Sequence, residues 1–165
     1  MKIFDINAIG DKFKSKEDFL KEDQRYWGEI KGIADDIKAN FAEKPILLLS
    51  GPSGSGKTTT AERIERFLDE QGYESHTISL DCYFSTLSEK EAKTVDLESP
   101  DRLDKALLCE HIEKMLKCEE IELPEFDFVN TRQIKSGVKL RRKPNEIIIF
   151  NGQNLFELCL SSLCS

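Results

Sequence analysis

A chain of 165 residues, 39% hydrophobic and 33% charged, can bury one real core and has the composition of an ordinary, somewhat polar globular protein. Its 24 basic against 31 acidic residues leave a net charge of −7, which excludes a general nucleic-acid binder, because such a protein needs a basic face to displace counterions from phosphates. Five scattered cysteines without a Cys-x-x-Cys pair exclude a disulfide framework or zinc ribbon, no apolar run is long enough to span a bilayer, and no signal-peptide core follows Met1, so a cytoplasmic protein with reduced thiols is expected.

In chain order, residues 1–14 carry no clear period. Ser15 with Asp18 can cap a helix, and Tyr26, Ile30, Ile33, Ile37 and Phe41 then recur at helical spacing, predicting one long amphipathic helix to about Ala42. Gly28 and Gly32 each weaken that helix by about 1 kcal/mol relative to alanine. Tyr26 and Trp27 are expected to pack against the rest of the fold. Pro45 ends the helix and leads into an apolar run that reads as a short buried strand near 46–50.

The stretch Gly51-Pro52-Ser53-Gly54-Ser55-Gly56-Lys57-Thr58 has the G-x-x-x-x-G-K-[ST] spacing between that strand and a following helix. Its glycines let successive backbone N–H groups turn into one concavity, at which the helix starting near Lys57 aims the positive end of its dipole. That chemistry suits phosphate. Gly51, Ser53, Gly54, Ser55, Gly56, Lys57, Thr58 and Thr59 are the expected nucleotide-binding set, with Lys57 reaching the outer phosphates and the Thr58 hydroxyl a ligand for Mg²⁺. The alternative is a glycine-rich turn that binds nothing.

Ala61, Ile64, Phe67 and Leu68 give the helix its buried stripe, and Gly72 stands where it should stop. Residues 76–80 read as a second strand ending at Asp81, so strand, helix and strand form a parallel unit. Ligands of such sheets bind outside the carboxyl ends of the strands, which puts Gly51 and Asp81 at one crevice. The polar segment 85–98 is a candidate mobile loop, and Ser99-Pro100-Asp101 reads as a helix start. Leu103, Leu107, Ile112, Met115 and Leu116 form that helix's apolar stripe, with His111 expected on its surface.

Residues 121–128 alternate apolar and polar, but Pro124 makes them an edge strand or an extended loop. A short strand near 138–140 and a buried parallel strand at 146–150, closed by Asn151-Gly152, follow. The tail to Ser165 is apolar and rich in Cys and Ser. The expected organisation is an N-terminal extension and helix at 1–43, a phosphate-loop domain at 44–157 and a tail at 158–165. The expected fold is α/β: a doubly wound, mainly parallel sheet with flanking helices, incomplete on its C-terminal side. An apolar sheet edge left open in this way would favour a homo-oligomer.

Four stretches between Pro45 and Gly152 carry a resemblance to a known family. They are Gly51–Thr58, then Ser79-Leu80-Asp81-Cys82-Tyr83-Phe84, then Asp96–Asp104, then Leu123-Pro124-Glu125-Phe126-Asp127-Phe128. In this order they resemble the uridine kinase branch of the phosphoribulokinase/uridine kinase family, within the P-loop NTPases. No Leu-Ser-Gly-Gly-Gln segment or Asn-Lys-x-Asp guanine reader points instead to a transporter ATPase or a GTPase.

The resemblance implies ATP- and Mg²⁺-dependent phosphorylation of a nucleoside 5′-hydroxyl, with uridine or cytidine as substrate. It implies Asp81 as the catalytic base beside Lys57, with Asp81 and Thr58 holding the metal. It places Tyr83, Glu98 and Phe126 at the substrate, Glu98 on the ribose hydroxyls and Phe126 against the base, where stacking survives the loss of a tyrosine hydroxyl. Core packing is the other reading of Phe126, a solvated loop charge that of Glu98, and a strand-end acid that of Asp81. Cys82, next to Asp81, is either a low-pKa thiol or a passive small side chain. Asn151 stands where the family strand ends in Glu, and the residues after it do not resemble the family's arginine-bearing lid, so a shortened member is expected. A module that binds ATP or nucleotide without turnover is therefore the alternative function.

Overall fold

The computed structural model describes residues 16–52, 54–88, 99 and 102–153. Ser53, Glu98, most of the 85–98 segment and the tail from 154 onward lie outside the described residues. In order come α1 (Lys16–Asn40), β1 (Ile46–Ser50), α2 (Lys57–Asp69), β2 (Glu74–Ser79), a 3₁₀ turn (Leu80–Tyr83), α3 (Lys105–Leu116), β3 (Glu120–Asp127), β4 (Arg132–Arg141) and β5 (Glu146–Gly152). None of the described helices is long and apolar enough to cross a membrane.

β5 organises the fold. It lies between β1 and β2, parallel to both, with Phe150 beside Leu48 on one side and Ile78 on the other. Ile147, Ile148, Ile149 and Phe150 are wholly buried, because successive strand side chains point to opposite faces and both faces are covered. Ile147 and Ile149 meet Ile30, Ala34 and Ile37 of α1 and Ala61, Ile64 and Leu68 of α2. Ile148 and Phe150 meet Leu108, Ile112 and Met115 of α3, with Leu80 and Tyr83 of the turn. This is the doubly wound α/β arrangement that the sequence predicts.

α1 runs unbroken through Gly28 and Gly32. Its buried line is Ile30, Ala34 and Ile37, whereas Ile33, expected in the stripe, is 40% exposed. Both choices satisfy helical spacing, and the contact with α2 selects the i+4 residue over the i+3 one. Tyr26 hydrogen-bonds Thr60 through their hydroxyls at 2.6 Å, Trp27 sets its edge against Phe67, and the Arg63 guanidinium lies over both the Tyr26 and Trp27 rings.

β3 and β4 pair antiparallel as a separate two-stranded ribbon whose register breaks between Glu122 and Pro124, where proline cannot donate to the ladder. β4 is longer than the 138–140 expected, since most of its side chains are exposed and leave no apolar alternation to read. α3 starts at Lys105, not near Ser99. The Asp104 carboxylate accepts from Leu107 N at 3.0 Å as its cap, while Arg102 and Leu103, ahead of it, pack against Phe84. His111, expected on the surface, is only 6% exposed.

Arg142 ties the ribbon to the sheet. Its buried guanidinium donates to Met115 O at 2.8 Å and Leu116 O at 3.3 Å on the last turn of α3, and to Glu146 O at 3.2 Å where β5 begins. Arg142→Leu removes these guanidinium donors at once, although Met115 O keeps its backbone bond from Cys118 N, and urea denaturation should show a loss of about 2–4 kcal/mol. An unchanged midpoint would mean that water reaches these groups.

Candidate active site

β1 delivers the phosphate loop. The β1–β5 pairing continues into it as Gly51 N donates to Gly152 O at 3.3 Å. A Cβ on Gly51 would stand 2.8 Å from Ser55 Oγ, and Gly54 and Gly56 occupy the left-handed region at φ 72° and 83°, so the curl needs glycine. No side chain caps the start of α2. Its first N–H groups are thus presented to whatever binds there. Lys57 Nζ reaches back across the loop to donate to Pro52 O at 2.7 Å.

A cavity of about 400 Å³ opens at the carboxyl ends of the three parallel strands, with Gly56, Lys57, Thr58, Asp81, Asn151 and Gln153 among its lining. Lys57, Thr58 and Asp81 are thereby brought together. Gly51, Ser55 and Thr59 are not among the lining residues, although Gly51 and Ser55 shape the loop. The Thr58 hydroxyl, the Asp81 carboxylate and the Asn151 amide carbonyl are hard oxygen donors among the residues lining this cavity. Among the described residues there is no group of three or more His, Cys, Asp or Glu arranged to hold a metal. That donor set fits Mg²⁺, which takes one or two protein oxygens and completes its shell with water and phosphate.

Asp81 owes its position to the 3₁₀ turn. Leu80, 1% exposed, is sunk against the end of β5, where a Cβ on Gly152 would be 2.6 Å from Leu80 Cβ. Tyr83 is wholly buried at the other end of the turn, and Asp81 stands exposed between them.

Burial therefore corrects the expectation that Tyr83 faces a substrate. Its ring sits in the core with its hydroxyl 3.0 Å from His111 Nδ1. Burial pushes the Tyr83 phenol up and the His111 imidazole down, so a neutral phenol and a neutral imidazole share this hydrogen bond. The Cys82 thiol is also held above its ordinary range, first by burial and then by the Asp81 and Glu125 charges, which makes it the passive side chain and not an activated thiol.

The next residue, Phe84, is half-buried against the same core. Phe84, Phe126 and Phe128 pack edge to face, with centroids 5.7 Å apart for Phe84–Phe126 and 5.0 Å for Phe126–Phe128, and the Arg102 guanidinium lies 4.5 Å from the Phe84 ring centre. Phe126 is 6% exposed and forms the floor of this cluster, whereas Phe128 is 63% exposed. Phe84, Arg102 and Phe128 are thus residues that sequence reasoning gave no role. The signal for Phe128 was its two-residue offset from Phe126, which repeats the face of a strand.

Residues 40–155 match the AAA domain family. The chain is 34% identical over 114 residues to a uridine kinase of Borreliella burgdorferi, a match covering 67% of this chain and 52% of that protein. It is 33% identical over 112 residues to a uridine kinase of Vibrio campbellii, covering 65% and 52%. The chain thus spans about half the length of the curated relatives it matches. Among solved structures, one described as a possible uridine kinase from Bacillus stearothermophilus is similar with a TM-score of 0.61 at 21% identity, over 81% of this chain and 73% of that one. At that identity the likeness is one of fold.

Proposed function

The chain belongs to the AAA domain family, and from that premise we propose that it transfers the terminal phosphoryl group of ATP to an alcohol, the 5′-hydroxyl of uridine or cytidine. The observation that carries this reading is the one cavity shared by Lys57, Thr58 and Asp81. The loop N–H groups and the start of α2 hold the phosphates, and Lys57 places a positive charge on the oxygens of the transferring group. Thr58 and Asp81 would hold Mg²⁺, which when bound neutralises phosphate charge. Asp81 orients the nucleoside hydroxyl and takes its proton as the oxygen attacks the γ-phosphorus. The bond from that phosphorus to the bridging oxygen breaks, and ADP leaves with the electron pair. The nucleoside base stacks on Phe128, the exposed member of the aromatic cluster.

ADP release with uridine, with cytidine and with no nucleoside tests this directly. Release that depends on nucleoside supports the proposal, and release stimulated only by another small alcohol would replace the substrate. Phe128→Ala should raise KM for the nucleoside about 5- to 100-fold, the loss of one base–aromatic stack, with KM for ATP unchanged.

One observation favours a second reading, a module that binds ATP without turnover: the neutral amide of Asn151 lines the cavity. In that case ATP binds, binding is lost in Lys57→Ala, and no nucleoside stimulates ADP release.

A further inference from the structure

We propose that Tyr83 is a positioning residue for Asp81, its buried hydroxyl on His111 Nδ1 bracing the turn that carries the carboxylate. The proposal rests on the reading of Asp81 as the base.

Local hydrogen bonds hold the turn weakly. Asp81 N reaches Ser79 Oγ at 3.3 Å and Phe84 N reaches Asp81 O at 3.4 Å, both long. What fixes the turn is its two buried ends. Leu80 is anchored by shape alone, against Gly152. Tyr83 is anchored by its ring, edge-on to Phe150 and His111, by its carbonyl, which accepts from Asp104 N at 2.8 Å at the cap of α3, and by its hydroxyl on His111 within α3.

A phenylalanine could fill the same apolar space. Placing two polar groups there adds a direction, because the buried hydroxyl is satisfied in only one orientation of the turn relative to α3. Rotation of the turn breaks that bond and swings the exposed carboxylate away from the phosphate cavity. Precise placement of the base matters because a shift of about 1 Å costs up to a hundredfold in rate.

The test is Tyr83→Phe, with His111→Leu and His111→Asn. Asparagine keeps an amide that can accept or donate a hydrogen bond near the place of Nδ1, and leucine removes it. In uridine-dependent ADP release, Tyr83→Phe and His111→Leu should each lower kcat about tenfold with both KM values unchanged. The double variant should be no worse than either single one, and His111→Asn should hold the wild-type kcat. A merely structural tyrosine would change the unfolding midpoint and leave kcat alone, which overturns the proposal, as does full kcat in Tyr83→Phe.

If the wild-type chain releases no ADP with any nucleoside, the reading of the site fails and the brace is judged by amide hydrogen exchange. Tyr83→Phe should then speed exchange several-fold at residues 81–84 relative to 57–60. Equal protection in the two chains overturns the brace.

Discussion

Asp81→Asn should lower nucleoside-dependent ADP release by about 10²–10⁴-fold while leaving ATP binding nearly intact, because it removes a proton acceptor and keeps the shape. The geometry makes the effect selective. Asp81 is exposed on the 3₁₀ turn, whereas the phosphate site proposed above is built by the loop and by Lys57 on α2, and the two elements line one cavity. The loss should therefore fall on kcat and only slightly on KM for ATP. Equilibrium ATP binding measured beside turnover separates the two. A variant that retains most of its rate would remove Asp81 from the role of base, and a variant that loses ATP binding would make it a metal ligand above all.

Gly152→Ala should disturb the site from its other side. The added methyl would stand 2.6 Å from Leu80 Cβ and 2.8 Å from its Cδ1, inside any real carbon contact. Because the nearest atom is a Cβ, no rotamer of Leu80 relieves the overlap, and either β5 or the turn must shift. Gly152 also pairs with Ser50 and accepts from Gly51 N, so a shift of β5 reaches the phosphate loop as well. Stability should fall by about 1–3 kcal/mol by urea denaturation, with nucleoside-dependent turnover reduced under conditions where the protein stays folded. Leu80→Ala should not rescue it, since alanine keeps the offending Cβ. An unchanged midpoint and rate would show that the close approach is readily relaxed.

The phosphate loop was legible in the sequence because every part of its chemistry is local: glycines where the chain must curl, and Lys57 and Thr58 at the start of a helix. The strand at 146–150 was legible for a related reason, since a continuous apolar run sits best between two covered faces; the run at 46–50 also forms a strand, but at the end of the described sheet its residues are only half-buried or exposed, not buried as expected. The pairing of Asp81 with the loop followed from strand direction, a rule of topology and not of side chains.

Other features depended on what a segment meets. Tyr83 and Phe84 are adjacent aromatics of similar size, and which one is buried is decided by the turn's seating between Gly152 and α3. His111 looks like any polar residue on a helix until Tyr83 is placed opposite it. Ser99-Pro100-Asp101 carries a signal for a helix start, but packing of Arg102 and Leu103 against Phe84 and the Asp104 cap put the start at Lys105. The sequence by itself therefore determined the phosphate-binding loop, the parallel core and the acid at the end of β2, because covalent geometry and hydrophobic pattern act within a segment. Which aromatics are buried and which exposed, and what the turn bearing Asp81 packs against, only the tertiary structure decided, because burial and hydrogen-bond partners are supplied by residues distant in the chain.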